Sequence, residues 1–189
     1  MEPPKRQRLF VAVGVPAAHL AAIEDATADL QETLPTARWT STANRHVTLK
    51  FLGPTDPELI PEVEAAIRAN AGAEPSSELT LGELGVFPSR ARARVLWVGL
   101  LDPAGTLTRL AARLDEALVP LGFPVEDRAF TAHLTLARFK TPIRIEATPQ
   151  VDLAATGPFD LDRIGLWRSH LTPKGAGYER LGEFPLGLP

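Results

Sequence analysis

The 189-residue chain has no cysteine. That excludes a disulfide framework, a thiolate nucleophile and any cysteine-ligated zinc or iron–sulfur site. It also has no long apolar run. No stretch approaches the roughly 20 residues of a membrane span, and Leu9 to Pro16 is too short for the core of a secretory signal. Positive charge is not in excess: 20 Lys+Arg stand against 23 Asp+Glu, a net charge of −3. This argues against an extended basic surface tracking nucleic acid, and leaves room for a local basic pocket reading one or two phosphates. Absent cysteine and a polar start together point to a cytoplasmic protein. The chain does have the composition of a soluble globular protein, 44% hydrophobic and 23% charged. Its length suits one medium domain or two small lobes. The 18 prolines, with prominent Ala, Leu and Arg, match a GC-rich genome and carry no functional meaning.

The pattern of apolar residues predicts a repeating order of elements. Arg8 to Pro16 is Val-rich and bounded by charge and proline, so it predicts a buried strand. Ala17 to Leu34 carries a helical stripe that stops before Pro35. Trp39 to Thr42 and Arg45 to Gly53 read as strands, a helix runs from Asp56-Pro57 to Gly72, and Leu79 to Phe87 is a strand interrupted by glycine. The order then restarts. Arg94 to Leu101 resembles Arg8 to Val15, and the helical stripe Leu107, Leu110, Leu114, Leu118 answers Ala17 to Leu34. Ala132 to Phe139 matches Arg45 to Phe51 plus one residue, and Phe159 to Ser169 matches Leu79 to Ser89. Thr141 to Gln150 holds two prolines and predicts no second helix there. The expectation is a single domain, residues 1–189, with an internal repeat of about 8–89 and 94–169. The fold class expected is α+β: two similar lobes of antiparallel-rich sheet, helices outside, a cleft between.

The chemistry concentrates at two repeat-equivalent tetrapeptides, His46-Val47-Thr48-Leu49 and His133-Leu134-Thr135-Leu136. Residues two apart on a strand share a face, so His46 and Thr48 point one way while Val47 and Leu49 point into a core. His133 and Thr135 do the same. Related by a pseudo-two-fold axis, the two His-x-Thr faces meet across one cleft. Two imidazoles so placed can act as general acid and general base near neutral pH. The threonine hydroxyls can bond a phosphoryl oxygen, although threonine is also simply a good strand residue. The arrangement suits hydrolysis of a cyclic phosphodiester. Neither motif brings a carboxylate at ligand spacing, so no metal and no cofactor is expected. Lys50 shares the face of His46 by alternation, and touches phosphate or is a solvated strand-end lysine. Arg138 reaches the cleft only if its strand ends or bulges there. Arg128 can swing in from a loop; for both arginines a structural ion pair is the alternative. His19 is expected on the surface, His170 near a strand end, and Gly175-Ala-Gly177 as a turn.

His46-Val-Thr-Leu-Lys-Phe-Leu-Gly53 and His133-Leu-Thr-Leu-Ala-Arg138 resemble the paired HxTx motifs of the 2H phosphoesterases. More narrowly, the chain is similar to the RNA 2′,3′-cyclic phosphodiesterases also called 2′–5′ RNA ligases. The likeness extends to RLFVAV, RVLWVG, the FP after LGELGV, RAF before the second motif, and Tyr178 to Leu186. One departure is Ala132, where relatives often have proline. The resemblance implies a bilobal α+β fold and hydrolysis of 2′,3′-cyclic phosphate ends to 2′-phosphates, with 2′–5′ ligation as a further activity of some members. It implies His46 as proton donor to the leaving 3′-oxygen and His133 as the base that activates water. Thr48, Thr135, Arg128 and Arg138 are the expected substrate-binding residues. The partner expected is an RNA end or nucleotide bearing a 2′,3′-cyclic phosphate, met by a monomer away from any membrane. Two alternatives stand beside it: a nucleotide- or RNA-end-binding module without turnover, and a phosphodiesterase for another small cyclic phosphate such as an ADP-ribose cyclic phosphate.

Overall fold

A computed structural model describes residues 5–172 and 175–187; residues 1–4 of the polar start lie outside them. Among the described residues the strands are β1 Gln7–Gly14, β2 Ala37–Trp39, β3 His46–Thr55, β4 Ser77–Phe87, β5 Ala93–Leu101, β6 His133–Ile143, β7 Phe159–Leu161, β8 Arg163–Thr172 and β9 Gly175–Pro185. The α-helices are α1 Ala17–Ala26, α2 Ala28–Thr33, α3 Ile60–Gly72 and α4 Thr106–Leu118. The fold is α+β, as expected, with an antiparallel sheet in the order β7-β4-β5-β6-β3-β1-β8-β9 and β2 added beside β6. No helix of the described residues is long and apolar enough to cross a membrane.

The sheet changes hands at its middle. β3 and β6 pair only through Val47 and Leu134, both fully buried. On one side of this junction lie β3, β1, β8 and β9; on the other lie β6, β5, β4 and β7. The third strand of each sequence repeat has therefore crossed over: β4 pairs with β5, and β8 with β1. Helices cover the face opposite the cleft. Along α4, Leu107, Leu110, Leu114 and Leu118 form one fully buried stripe, packed against β3 and α3. On α3, Val63, Ile67 and Ala71 recur every fourth residue, are equally buried, and meet β8 and β9.

Four sequence expectations are corrected. The helix from Ala17 to Leu34 is two helices, broken at Thr27, whose Oγ1 donates to the Ile23 carbonyl at 2.7 Å; a local hydroxyl bond of this kind competes with helix continuation. The strand from Phe159 to Ser169 is divided at Asp162, because Phe159–Leu161 pairs with β4 while Arg163–Thr172 pairs with β1 and β9. Gly175-Ala-Gly177 is no turn of its own but the start of the 11-residue β9. His19 is buried, its ring 4.8 Å from that of Phe159 and its Nε2 3.3 Å from the Gly157 carbonyl. The expectation of a surface histidine fails there because α1 lies over β7, a strand remote in sequence.

Candidate active site

The cleft-facing residues of β3 and β6 start from the same local rule. His46 and Thr48 alternate with buried Val47 and Leu49, and His133 and Thr135 with buried Leu134 and Leu136. Extending the Val47–Leu134 register places His46 across from Thr135 and Thr48 across from His133. The four residues line one cavity of about 300 Å³ between the diverging strands, together with Arg8, Phe10, Phe51, Arg138, Ser169 and Tyr178 among others.

Two bulges then break the alternation at matching places. Val11 pairs with Lys50 but Ala12 with Thr48, leaving Leu49 as the extra residue. Leu96 pairs with Ala137 but Trp97 with Thr135, leaving Leu136 extra. Each bulge moves the later residues of its strand to the opposite face. On β6 it carries Arg138 into the cleft, the condition on which its expected role depended. On β3 it carries Lys50 away, so the reading of Lys50 as a cleft or solvated lysine is corrected. Lys50 is 2% exposed, and its Nζ lies 2.5 Å from Asp115 Oδ1 of α4 and donates to the Pro124 carbonyl. Phe51 takes the vacated face and is 62% exposed at the cleft. Arg128 stands in the exposed loop before β6 and does not line the cavity. His170 is on β8 and pairs with Glu179 at 2.8 Å.

Both imidazoles are fixed in the same way. His133 Nδ1 donates to the Thr131 carbonyl at 2.7 Å, and His46 is hydrogen-bonded to the backbone of Asn44; each partner lies two residues upstream. Because a carbonyl only accepts, Nδ1 of His133 carries the hydrogen and Nε2 keeps its lone pair when the ring is neutral. Aromatic rings complete the setting. Phe10 stacks on His46 at 4.7 Å and Tyr178 meets it edge-on at 5.0 Å. Phe87 meets His133 edge-on at 5.0 Å, with Trp97 at 6.0 Å. Gly85, seen in sequence only as a strand interruption, lies under the Trp97 indole, where an added Cβ would stand 2.1 Å from a ring carbon. Phe10, Phe51 and Tyr178 lie in segments that carry the resemblance, RLFVAV, His46 to Gly53 and Tyr178 to Leu186, but were not expected as site residues. The usable signal was that Phe10 shares its strand face with Arg8 beside the histidine strand.

Burial also sets the charge of the pair. His46 is pushed down to about 4, chiefly by desolvation, with the charges of Arg138 and His133 adding and the Asn44 backbone bond opposing. His133 is lowered too, again first by burial and also by Arg138, against the Thr131 bond. Both rings are thus neutral in the free cleft at pH 7. A folded-state value below the unfolded 6.5 means that the unfolded chain binds more protons between these limits. The contribution of His46 to stability is then complete above about pH 6.5 and is lost as pH falls toward 4, to a total of about 3 kcal/mol. Urea unfolding at pH 7.5 and 4.5 checks it: the stability lost on acidification should be smaller in His46→Gln by about that amount. Equal losses in both proteins would contradict the buried neutral ring.

Among the described residues no group of three His, Asp or Glu side chains is disposed to hold a metal ion. The cavity wall supplies imidazoles, hydroxyls and guanidiniums, and no carboxylate. Its arrangement can donate a proton, accept one, and hold an anion between them.

Known proteins resemble this chain along the same lines. The sequence profile of the 2′-5′ RNA ligase superfamily matches residues 15–173. An RNA 2′,3′-cyclic phosphodiesterase of Geobacillus stearothermophilus is 34% identical over 98% of this chain, which spans 59% of that relative's length. One of Methanocaldococcus jannaschii is 32% identical over 94% of this chain and 99% of its own. Among solved structures, TT0787 of Thermus thermophilus is 28% identical with a TM-score of 0.83, over 96% of this chain and 98% of that one. E. coli LigT in apo form is 27% identical with a TM-score of 0.79, over 97% and 99%.

Proposed function

This chain belongs to the 2′-5′ RNA ligase superfamily, and from that membership we propose that it hydrolyses 2′,3′-cyclic phosphodiesters at RNA ends or on nucleotides. The observation that carries the reading is the pair His46 and His133, brought to one cavity from equivalent positions of β3 and β6, each ring oriented by a carbonyl two residues upstream. The enzyme acts as a cytoplasmic monomer, and 2′–5′ ligation is the same chemistry with a ribose hydroxyl in place of water.

In the assigned mechanism His133 Nε2 takes a proton from water as the oxygen attacks phosphorus. The P–O3′ bond breaks, and His46 gives its proton to the departing 3′-oxygen, leaving a 2′-phosphate and a 3′-hydroxyl. Arg138 and the hydroxyls of Thr48 and Thr135 hold the non-bridging oxygens. Among the described residues neither hydroxyl has a hydrogen-bond partner, so both are open to a ligand. The low proton affinity of His46 in the free cleft fits this role once substrate is bound. A phosphate anion beside the ring favours its charged form, so the acid is loaded by the substrate it serves.

The test is incubation with a 2′,3′-cyclic nucleotide in EDTA, followed by phosphorus NMR. The expected product is the 2′-phosphate, with activity undiminished by chelator. Absence of turnover would return the cleft to a binding role, and a dominant 3′-phosphate would reverse the substrate between His46 and His133. Thr48→Val and Thr135→Val should each lower kcat/KM by roughly 10- to 150-fold, the value of a lost hydrogen bond to a charged group. Wild-type rates in both variants would remove the hydroxyls from the site.

A further inference from the structure

Outward from the His-x-Thr pairs the near-symmetry of the cleft fails. Where β3 presents Phe51 and Gly53 at the cavity, on either side of a second bulge at Leu52, β6 presents Arg138 and then, across buried Phe139, Lys140 on the same alternating face. β2 adds a third cation, because Arg38 stands directly opposite Arg138 in the β2–β6 register, and directly opposed residues share a face. Like charges so placed repel. Some surface guanidiniums are neutralised, Arg6 by Asp56, Arg163 by Asp162, Arg168 by Glu179 and Arg180 by Glu183. Others, such as Arg68 over the Phe184 ring and Arg94 on the Lys140 carbonyl, have no carboxylate beside them. What sets this group apart is that three cations share one face next to the cleft. Among the described residues Arg38, Arg138 and Lys140 have no carboxylate partner, and Arg38 and Lys140 are exposed. A chain of net charge −3 thus keeps an uncompensated basic row that begins at the cleft and runs along one strand.

Resting on the reading of the cleft as a cyclic-phosphate site, we propose that this row binds the backbone phosphates of single-stranded RNA on the 5′ side of the cyclic end. The preferred substrate is then an oligoribonucleotide and not a mononucleotide. Arg138 belongs to both sites, at the rim of the cavity, while Arg38 and Lys140 act only on the strand beyond it. Arg138 and Lys140 are two residues apart, about 6.6 Å along the strand, a spacing that one extended nucleotide step can span. The opposing wall presents exposed Phe51 and the single guanidinium of Arg8 on β1, so the row of three cations lies on the β6 side.

The experiment compares kcat/KM for a 2′,3′-cyclic mononucleotide and for a tetraribonucleotide ending in the cyclic phosphate. The tetramer should be favoured by about tenfold in 50 mM salt. Raising salt to 200 mM should reduce that advantage roughly 7-fold, the single-strand dependence for two neutralised phosphates. The double variant Arg38→Gln, Lys140→Gln should lose the advantage and its salt dependence, keep its mononucleotide rate, and melt no lower than wild type. Equal use of the two substrates by wild type, or an advantage retained by the variant, would overturn the proposal. Should neither substrate be turned over, the cyclic-phosphate reading fails on its own. Fluorescence anisotropy of a labelled tetramer ending in a 3′-phosphate then decides the row: about tenfold weaker binding by the double variant supports it, and equal binding refutes it.

Discussion

Replacing either His46 or His133 with Ala is expected to lower turnover of a 2′,3′-cyclic nucleotide by roughly 10²- to 10⁴-fold, the range of general acid–base catalysis. The two variants should retain the wild-type far-UV spectrum, since Val47 and Leu134, not the imidazoles, join the two halves of the sheet. The double variant should fall little below the worse single one, because a proton donor and a proton acceptor work as a unit. The pH–rate profile should be bell-shaped, its limbs belonging to the coupled pair. Its alkaline limb in kcat should lie above that in kcat/KM, because the first reports the phosphate-bound cleft and the second the free cleft, where His46 is held near 4. Either variant retaining near-wild-type rates would remove that histidine from the mechanism.

Lys50→Ala should produce the opposite signature, a loss of about 3–5 kcal/mol in folding stability with kcat/KM per folded molecule unchanged. The side chain bridges β3 to α4 through Asp115 and to the following loop through the Pro124 carbonyl. Removing it leaves Asp115, only 16% exposed, without its counter-charge, and breaking a buried pair on one side has this magnitude. Lys50→Met, which keeps the apolar stem, should lose nearly as much because the missing charge dominates. Denaturant melts and an assay on the folded fraction separate the two effects. A variant of wild-type stability with a raised KM would mean that Lys50 reaches the phosphate after all, and would refute the bulge as the element that turns it away.

The sequence was legible where one local rule applied. Alternation placed His46, Thr48, His133 and Thr135 on one face of their strands, and it held because Val47, Leu49, Leu134 and Leu136 each need a core. The stripe on α4 was equally clear, since four leucines at helical spacing can be buried together only by a helix. Elements failed where a second segment competed. One apolar run at Phe159 to Ser169 serves two different neighbours and divides at Asp162. β9 was missed because its pairing with β8 spans a glycine-rich start that locally reads as a turn.

By itself, then, the amino-acid order determined the α+β class, the two repeat-equivalent motifs and the identity of the two imidazoles. These rest on side-chain periodicity and chemistry, which act over a few residues. Only the tertiary structure decided which cations face the cleft. The bulges at Leu49 and Leu136 are set by pairing with β1 and β5, and a one-residue shift in a strand moves every later side chain to the other face. Hence Arg138 enters, Lys50 turns to α4, and Arg38, far earlier in the chain than Arg138, comes to stand opposite it.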